Sequence, residues 1–131
     1  MLSELNKEIV HQMFAALNAG DGAKYLSYMA EDVRVTYFGD HVFSGTYTGK
    51  ADLLQNFVPV LRSKLDGGLK LRIQNIIVED DQVVIECDGE AKTKTGLDYN
   101  NIYCIVLKIK NNRVTEVREY MDTALTRSVF G

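Results

Sequence analysis

The stretch RVTEVREYMDTALTRSVFG, Arg113 to Gly131, decides how the chain is read. It opens as a strand, with Val114, Val117 and Tyr120 supplying the β-branched and aromatic residues that suit a pleated surface. From Asp122 the period changes: Ala124, Leu125, Val129 and Phe130 fall at helical spacing. Asp122 therefore stands where a sheet edge meets a short terminal helix. Its carboxylate is a candidate general acid/base in an apolar setting, which would raise its pKa toward the working range. It is equally a candidate helix N-cap, accepting backbone N–H bonds.

Upstream, the elements group as helices first and strands second. Residues 3–19 read as an amphipathic helix, with Leu5, Ile9, Met13 and Leu17 on one side, closed by Gly20. Asp21 can cap a second helix over 22–30, and VRVTYF at 33–38 reads as a strand. Residues 39–49 read as a glycine-rich loop or short hairpin. A third helix is expected over 50–65, kinked or split at Pro59. Leu69, Leu71 and Ile73 alternate with Lys70, Arg72 and Gln74 as a strand does. Asp80-Asp81, Gly96 and Asn111-Asn112 then divide the remainder into further strands. Short turns demand antiparallel neighbours, so the class is α+β, in a single domain spanning 1–131.

Composition narrows the function classes. A net charge of −3 lacks the basic footprint of sequence-independent nucleic-acid binding. The opening MLSELNKEIV carries neither a basic n-region nor a continuous apolar run, and no stretch approaches the ~20 apolar residues of a membrane span. A cytoplasmic location with no nucleic-acid or membrane partner is the expectation. Cys87 and Cys104 lie outside any metal spacing and are expected as reduced, buried thiols. His11 and His41 lack partners for a metal site or a triad, and no cofactor fingerprint is present. Neither a metal nor a cofactor is expected.

A turn centred on Thr95-Gly96 sets Cys87 opposite Cys104 and Asp88 opposite Tyr103. One hairpin face then carries Glu86, Asp88, Glu90, Tyr99, Asn101 and Tyr103. Glu86 and Asp88 read either as a carboxylate pair sharing a proton or as a solvated strand face. Ile105, Val106 and Leu107 are consecutive, so both sheet faces are expected to be covered, one by helices and the other by a second copy of the chain.

Three segments, FAALNAGDGAKYLSYMAEDV (14–33), GTYTGKADLLQNF (45–57) and VTEVREYMDTAL (114–125), make the whole chain resemble the NTF2-like superfamily in its SnoaL-like, ketosteroid-isomerase-related branch. The resemblance implies three N-terminal helices and a strongly curved sheet forming a cone, with a deep pocket for a small apolar molecule and a homodimer through the outer sheet face. The pocket is expected at Met13, Leu17, Tyr28, Tyr37, Phe57 and Leu61. The amide of Asn101 and phenol of Tyr103 read either as groups orienting a ligand oxygen or as packing residues with satisfied polar atoms. Ketosteroid isomerase chemistry transfers poorly: its base falls at about Tyr37, its tyrosine at about Met13 and its second aspartate near Ile105. Of the limonene-epoxide-hydrolase constellation, Asp122 and Asp88 match the two aspartates, but the arginine position is Glu86. The resemblance thus implies an isomerase, polyketide cyclase or epoxide hydrolase acting through Asp122 and Asp88. The alternative is a non-catalytic ligand-binding or dimerisation module on the same scaffold.

Overall fold

The computed structural model describes residues 2–131. Helix α1 (Leu2–Asn18) buries Val10, Met13 and Phe14, the spacing of one helical face, and packs across strand β3 (Leu65–Glu79). Its last side chain, Asn18, clamps that strand: Nδ2 donates to Leu71 O and Oδ1 accepts from Leu71 N, both at 2.8 Å. Helix α2 (Gly22–Ser27) is capped by Asp21, which accepts from Lys24 N at 3.0 Å, and strand β1 (Met29–Tyr37) follows. The glycine-rich stretch is a hairpin, with β2 (Gly45–Thr48) antiparallel to β1.

The third helix splits at Pro59, as its sequence suggests. A short α3 (Lys50–Asp52) leads into a π-wound turn (Leu53–Phe57) and then α4 (Val58–Lys64). Pro59 has no N–H to offer the preceding turn, and Val58 N instead bonds Leu53 O five residues back. Strands β4 (Gln82–Thr93), β5 (Ile102–Lys110) and β6 (Arg113–Met121) follow, and α5 (Thr123–Phe130) closes the chain. The sheet order is β2-β1-β6-β5-β4-β3; among the described residues only the β1–β6 pair is parallel. Among the described residues no helix is long and apolar enough to cross a membrane.

The β4–β5 register differs from the expected one by a single residue. Cys87 pairs with Tyr103 and Asp88 with Ile102. The loop explains the shift. Thr93 N donates to Leu97 O at 2.8 Å and Thr93 Oγ1 accepts from Leu97 N at 2.9 Å, so the turn centres on Thr95 alone. A one-residue slip exchanges the faces of a strand. Tyr99, Asn101 and Tyr103 consequently share the inner face with Cys87, Ile85 and Ile105, while Glu86 and Asp88 point outward. Both cysteines are free; Cys87 is buried as expected, whereas Cys104 is half-buried on the outer face and pairs with Glu86.

Candidate active site

Strand β6 sends Val117, Glu119 and Met121 inward, while Arg118 ion-pairs with Glu116 on the other face. Glu119 pairs with Ile105 on β5 and with Tyr37 on β1, which sets its carboxyl inside the cone. It shares a chamber of about 90 Å³ with Tyr25, Tyr37, Phe43, Tyr99, Tyr103 and a ring of leucines. No side chain among the described residues hydrogen-bonds or ion-pairs with this carboxyl. Burial alone pushes its pKa up from 4.5 to about 8, because the apolar walls penalise the charged form.

Tyrosine hydroxyls surround this acid. Tyr25, Tyr37 and Tyr103 are all raised above the usual phenol value, mainly by burial. The negative charge on Glu119 raises each of them further. They therefore remain protonated donors at any working pH. Gly89 makes room for Tyr103: a Cβ there would lie 2.5 Å from Tyr103 Cε2. The chamber opens into an outer cavity of about 620 Å³ bounded by α2, the π-wound turn, α4 and the start of β3. Its walls include Leu26, Leu53, Leu54 and Val58, with Lys50 and Arg62 at the rim. That size and lining suit a small, largely apolar molecule.

The expected site residues divide. Leu17, Tyr37, Phe57 and Leu61 line the cavity, and Tyr103 lines the inner chamber. Met13 is wholly buried in the core instead, and Tyr28 ends α2 and packs against the core away from the cavity wall. Asn101 is buried in a structural network. Its Nδ2 lies within 3.1 Å of Tyr99 Oη, Asp122 O and Thr126 Oγ1, and its Oδ1 accepts from Ile102 N and Asp122 N. With its amide hydrogens directed at protein acceptors, Asn101 ties α5 to β5 and does not face the ligand space.

Asp122 is exposed and caps α5, its Oδ1 accepting from Leu125 N at 3.2 Å. Of its two readings, the geometry is that of the cap. Asp88 lies on the outer face, 3.0 Å from Arg72 Nη2 and 3.1 Å from Gln74 Nε2, and Glu86 accepts from Asn75 at 3.1 Å. The two carboxyls have separate partners on a solvated strand face and do not share a proton. His41 bonds its own loop through Phe38 O and Phe43 N, and His11 is exposed. Among the described residues, no three His, Cys, Asp or Glu side chains converge as metal ligands. Cys87, near Glu119, has its thiol pushed up to about 12, chiefly by burial.

Glu119 and Tyr25 were not singled out by sequence. The signal for Glu119 lies in VREYM, where one acid occupies the inward row between Val117 and Met121. A charge in an apolar row is either a register error or a functional group.

The fold, a curved sheet closed by helices into a cone, is that of the NTF2-like proteins. The chain belongs to the SnoaL-like domain family, whose profile matches residues 10–117. It is 25% identical over 134 residues to an uncharacterised protein of Mycobacterium tuberculosis, covering 99% of both chains. Among solved structures it is similar to an NTF2-like protein of unknown function from Burkholderia pseudomallei, with a TM-score of 0.87 and 19% identity over 96% of this chain and 97% of that one. A putative SnoaL-like polyketide cyclase from Jannaschia sp. CCS1 has a TM-score of 0.80 and 16% identity, over 98% of this chain and 92% of that one.

Proposed function

We propose that the protein is an acid/base enzyme, an isomerase or cyclase, acting on a small and mostly apolar carbonyl compound. The observation that carries this reading is the unpaired carboxyl of Glu119, held in an apolar chamber and pushed up to about 8. In the ionised form, Glu119 removes a proton from the carbon beside the substrate carbonyl. The C–H electron pair moves onto the carbonyl oxygen, and the hydroxyl of Tyr37 or Tyr103 donates to the resulting enolate. Glu119, now protonated, returns the proton to a different carbon in an isomerisation. In a cyclisation the enolate carbon instead attacks a second carbonyl, and Glu119 protonates the alkoxide formed. The polyketide cyclase named among the structural neighbours supports this class of chemistry by likeness of fold.

The reading is tested with a panel of cyclisable diketones and β,γ-unsaturated ketones. Turnover is expected to rise with pH through about 8, following the carboxylate form of Glu119. Glu119→Gln is expected to remove it without unfolding the protein. Turnover that survives Glu119→Gln overturns the assignment.

A second reading is a binding module. At pH 7 a group with a pKa near 8 is mostly a neutral carboxylic acid, suited to donating a hydrogen bond to a ligand carbonyl without chemistry. That reading predicts ligand affinity that falls above pH 8, with no turnover at any pH.

The outer sheet face supports a further part of the proposal, pairing with a second copy of the chain. Phe38 and Tyr120 stack there with centroids 4.6 Å apart, near exposed Ile102, and Ile77 is exposed farther across the same sheet on β3. Apolar side chains concentrated on one face suit an isologous dimer.

A further inference from the structure

The cavity is divided in two. The chamber at Glu119 holds about 90 Å³, room for about three waters at ~30 Å³ each. The outer space holds about 620 Å³. Tyr25, Tyr37, Phe57 and the four leucines Leu17, Leu61, Leu65 and Leu69 line both, so they form the neck between them. Two of these are stacked flat: the Tyr37 and Phe57 rings lie 4.3 Å apart at 6°. Tyr47 meets Phe57 edge-on at 5.3 Å.

The two rings are held differently. Tyr37 belongs to a strand bonded on both sides, to β2 and to β6. Phe57 ends the π-wound turn two residues before Pro59, which has no N–H to bond back to that turn. Phe57 is therefore the wall of the neck that a substitution can move without disturbing the sheet.

The geometry points to Phe57 as the residue that sets how wide the reacting end of a substrate can be. The substrate is an elongated, mostly apolar carbonyl compound that enters narrow end first. Its carbonyl and one flanking carbon occupy the inner chamber, and its apolar body fills the outer space. A bulky group beside the carbonyl stops at the Tyr37–Phe57 stack, short of Glu119. This inference rests on the acid/base reading of Glu119, and removing the Phe57 ring joins the two spaces.

Two methyl ketones that differ only in width test it: 2-nonanone and 1-adamantyl methyl ketone. Each is titrated into the protein while the Glu119 side-chain carboxyl is followed by carbon-13 NMR. In the wild type, 2-nonanone is expected to shift the Glu119 titration midpoint, with the adamantyl ketone at least roughly tenfold weaker, the scale on which pockets discriminate by bulk. Phe57→Ala is expected to remove that preference, and Phe57→Leu, which keeps more of the packing, to reduce it. Equal response to both ketones in the wild type, no response to either, or an unchanged ratio in folded Phe57 variants overturns the inference. The underlying reading fails separately: a ligand-free Glu119 titrating near the ordinary 4.5 removes the acid/base role, while width selection is still read from the methyl signals of Leu61.

Discussion

Glu119 and Tyr37 are partners across the one parallel seam of the sheet, and both side chains enter the same apolar chamber. An acid and a phenol on adjacent strands are thereby held at fixed relative height by backbone hydrogen bonds. That is the rigidity a proton-transfer site requires.

Burying Glu119 destabilises the fold in a pH-dependent way. Its pKa is about 8 folded and near 4.5 unfolded. Between those values the folded state holds a proton that the unfolded chain has released, so stability falls as pH rises through that window. Glu119→Gln removes this dependence. It is expected to gain over the wild type by about 1.4 kcal/mol for each unit above 4.5, levelling near pH 8. Urea unfolding of both proteins at pH 5, 7 and 9 measures the difference; a gap that stays constant contradicts the buried placement.

Asp122→Ala is expected to cost about 1 kcal/mol through loss of the α5 cap, with Asp122→Asn nearly neutral because asparagine caps as well. Both should retain ligand binding and any turnover that Glu119→Gln abolishes. Thermal melts and the activity panel, run side by side, distinguish cap from catalyst.

Asn101→Ala strips partners from Tyr99, Thr126 and the Asp122 backbone at once, in a buried setting. Tyr99 and Thr126 still bond each other, and Thr126 still bonds Asp122 O. The Ile102 and Asp122 N–H groups lose their acceptor, at about 1–3 kcal/mol for each group left unsatisfied. The loss should exceed that of Asp122→Ala, and hydrogen exchange should rise first in α5.

Gly89→Ala brings a methyl within 2.5 Å of the Tyr103 ring. Overpacking of this kind costs about 1–3 kcal/mol, and relief by moving the ring narrows the inner chamber. Combining it with Tyr103→Leu should recover most of the stability, a coupling that a double-mutant cycle reads directly. Additive losses would mean that the two positions do not touch.

If the outer face pairs two copies, sedimentation gives twice the 14.7 kDa chain mass. Ile102, 62% exposed on that face at the start of β5, is the place to break it. Ile102→Asp is expected to yield monomer with its fold intact.

The period of each segment was enough to name the architecture. Amphipathic spacing in α1, the break at Pro59 and the switch from strand to helix at Asp122 are local properties, each carried by side chains a few residues apart. The family resemblance, not local periodicity, pointed to the cavity wall at Leu17, Tyr37, Phe57 and Leu61. What the sequence could not settle by itself was which way the hairpin side chains point. That depended on Thr93 closing a turn centred on Thr95, and a shift of one residue exchanged the faces of Asp88 and Tyr103. The identity of the acid was likewise a tertiary matter. Asp122 and Glu119 lie three residues apart, yet one caps a helix in solvent and the other faces the cone, because only the packing of β6 between β1 and β5 determines which carboxyl loses its water.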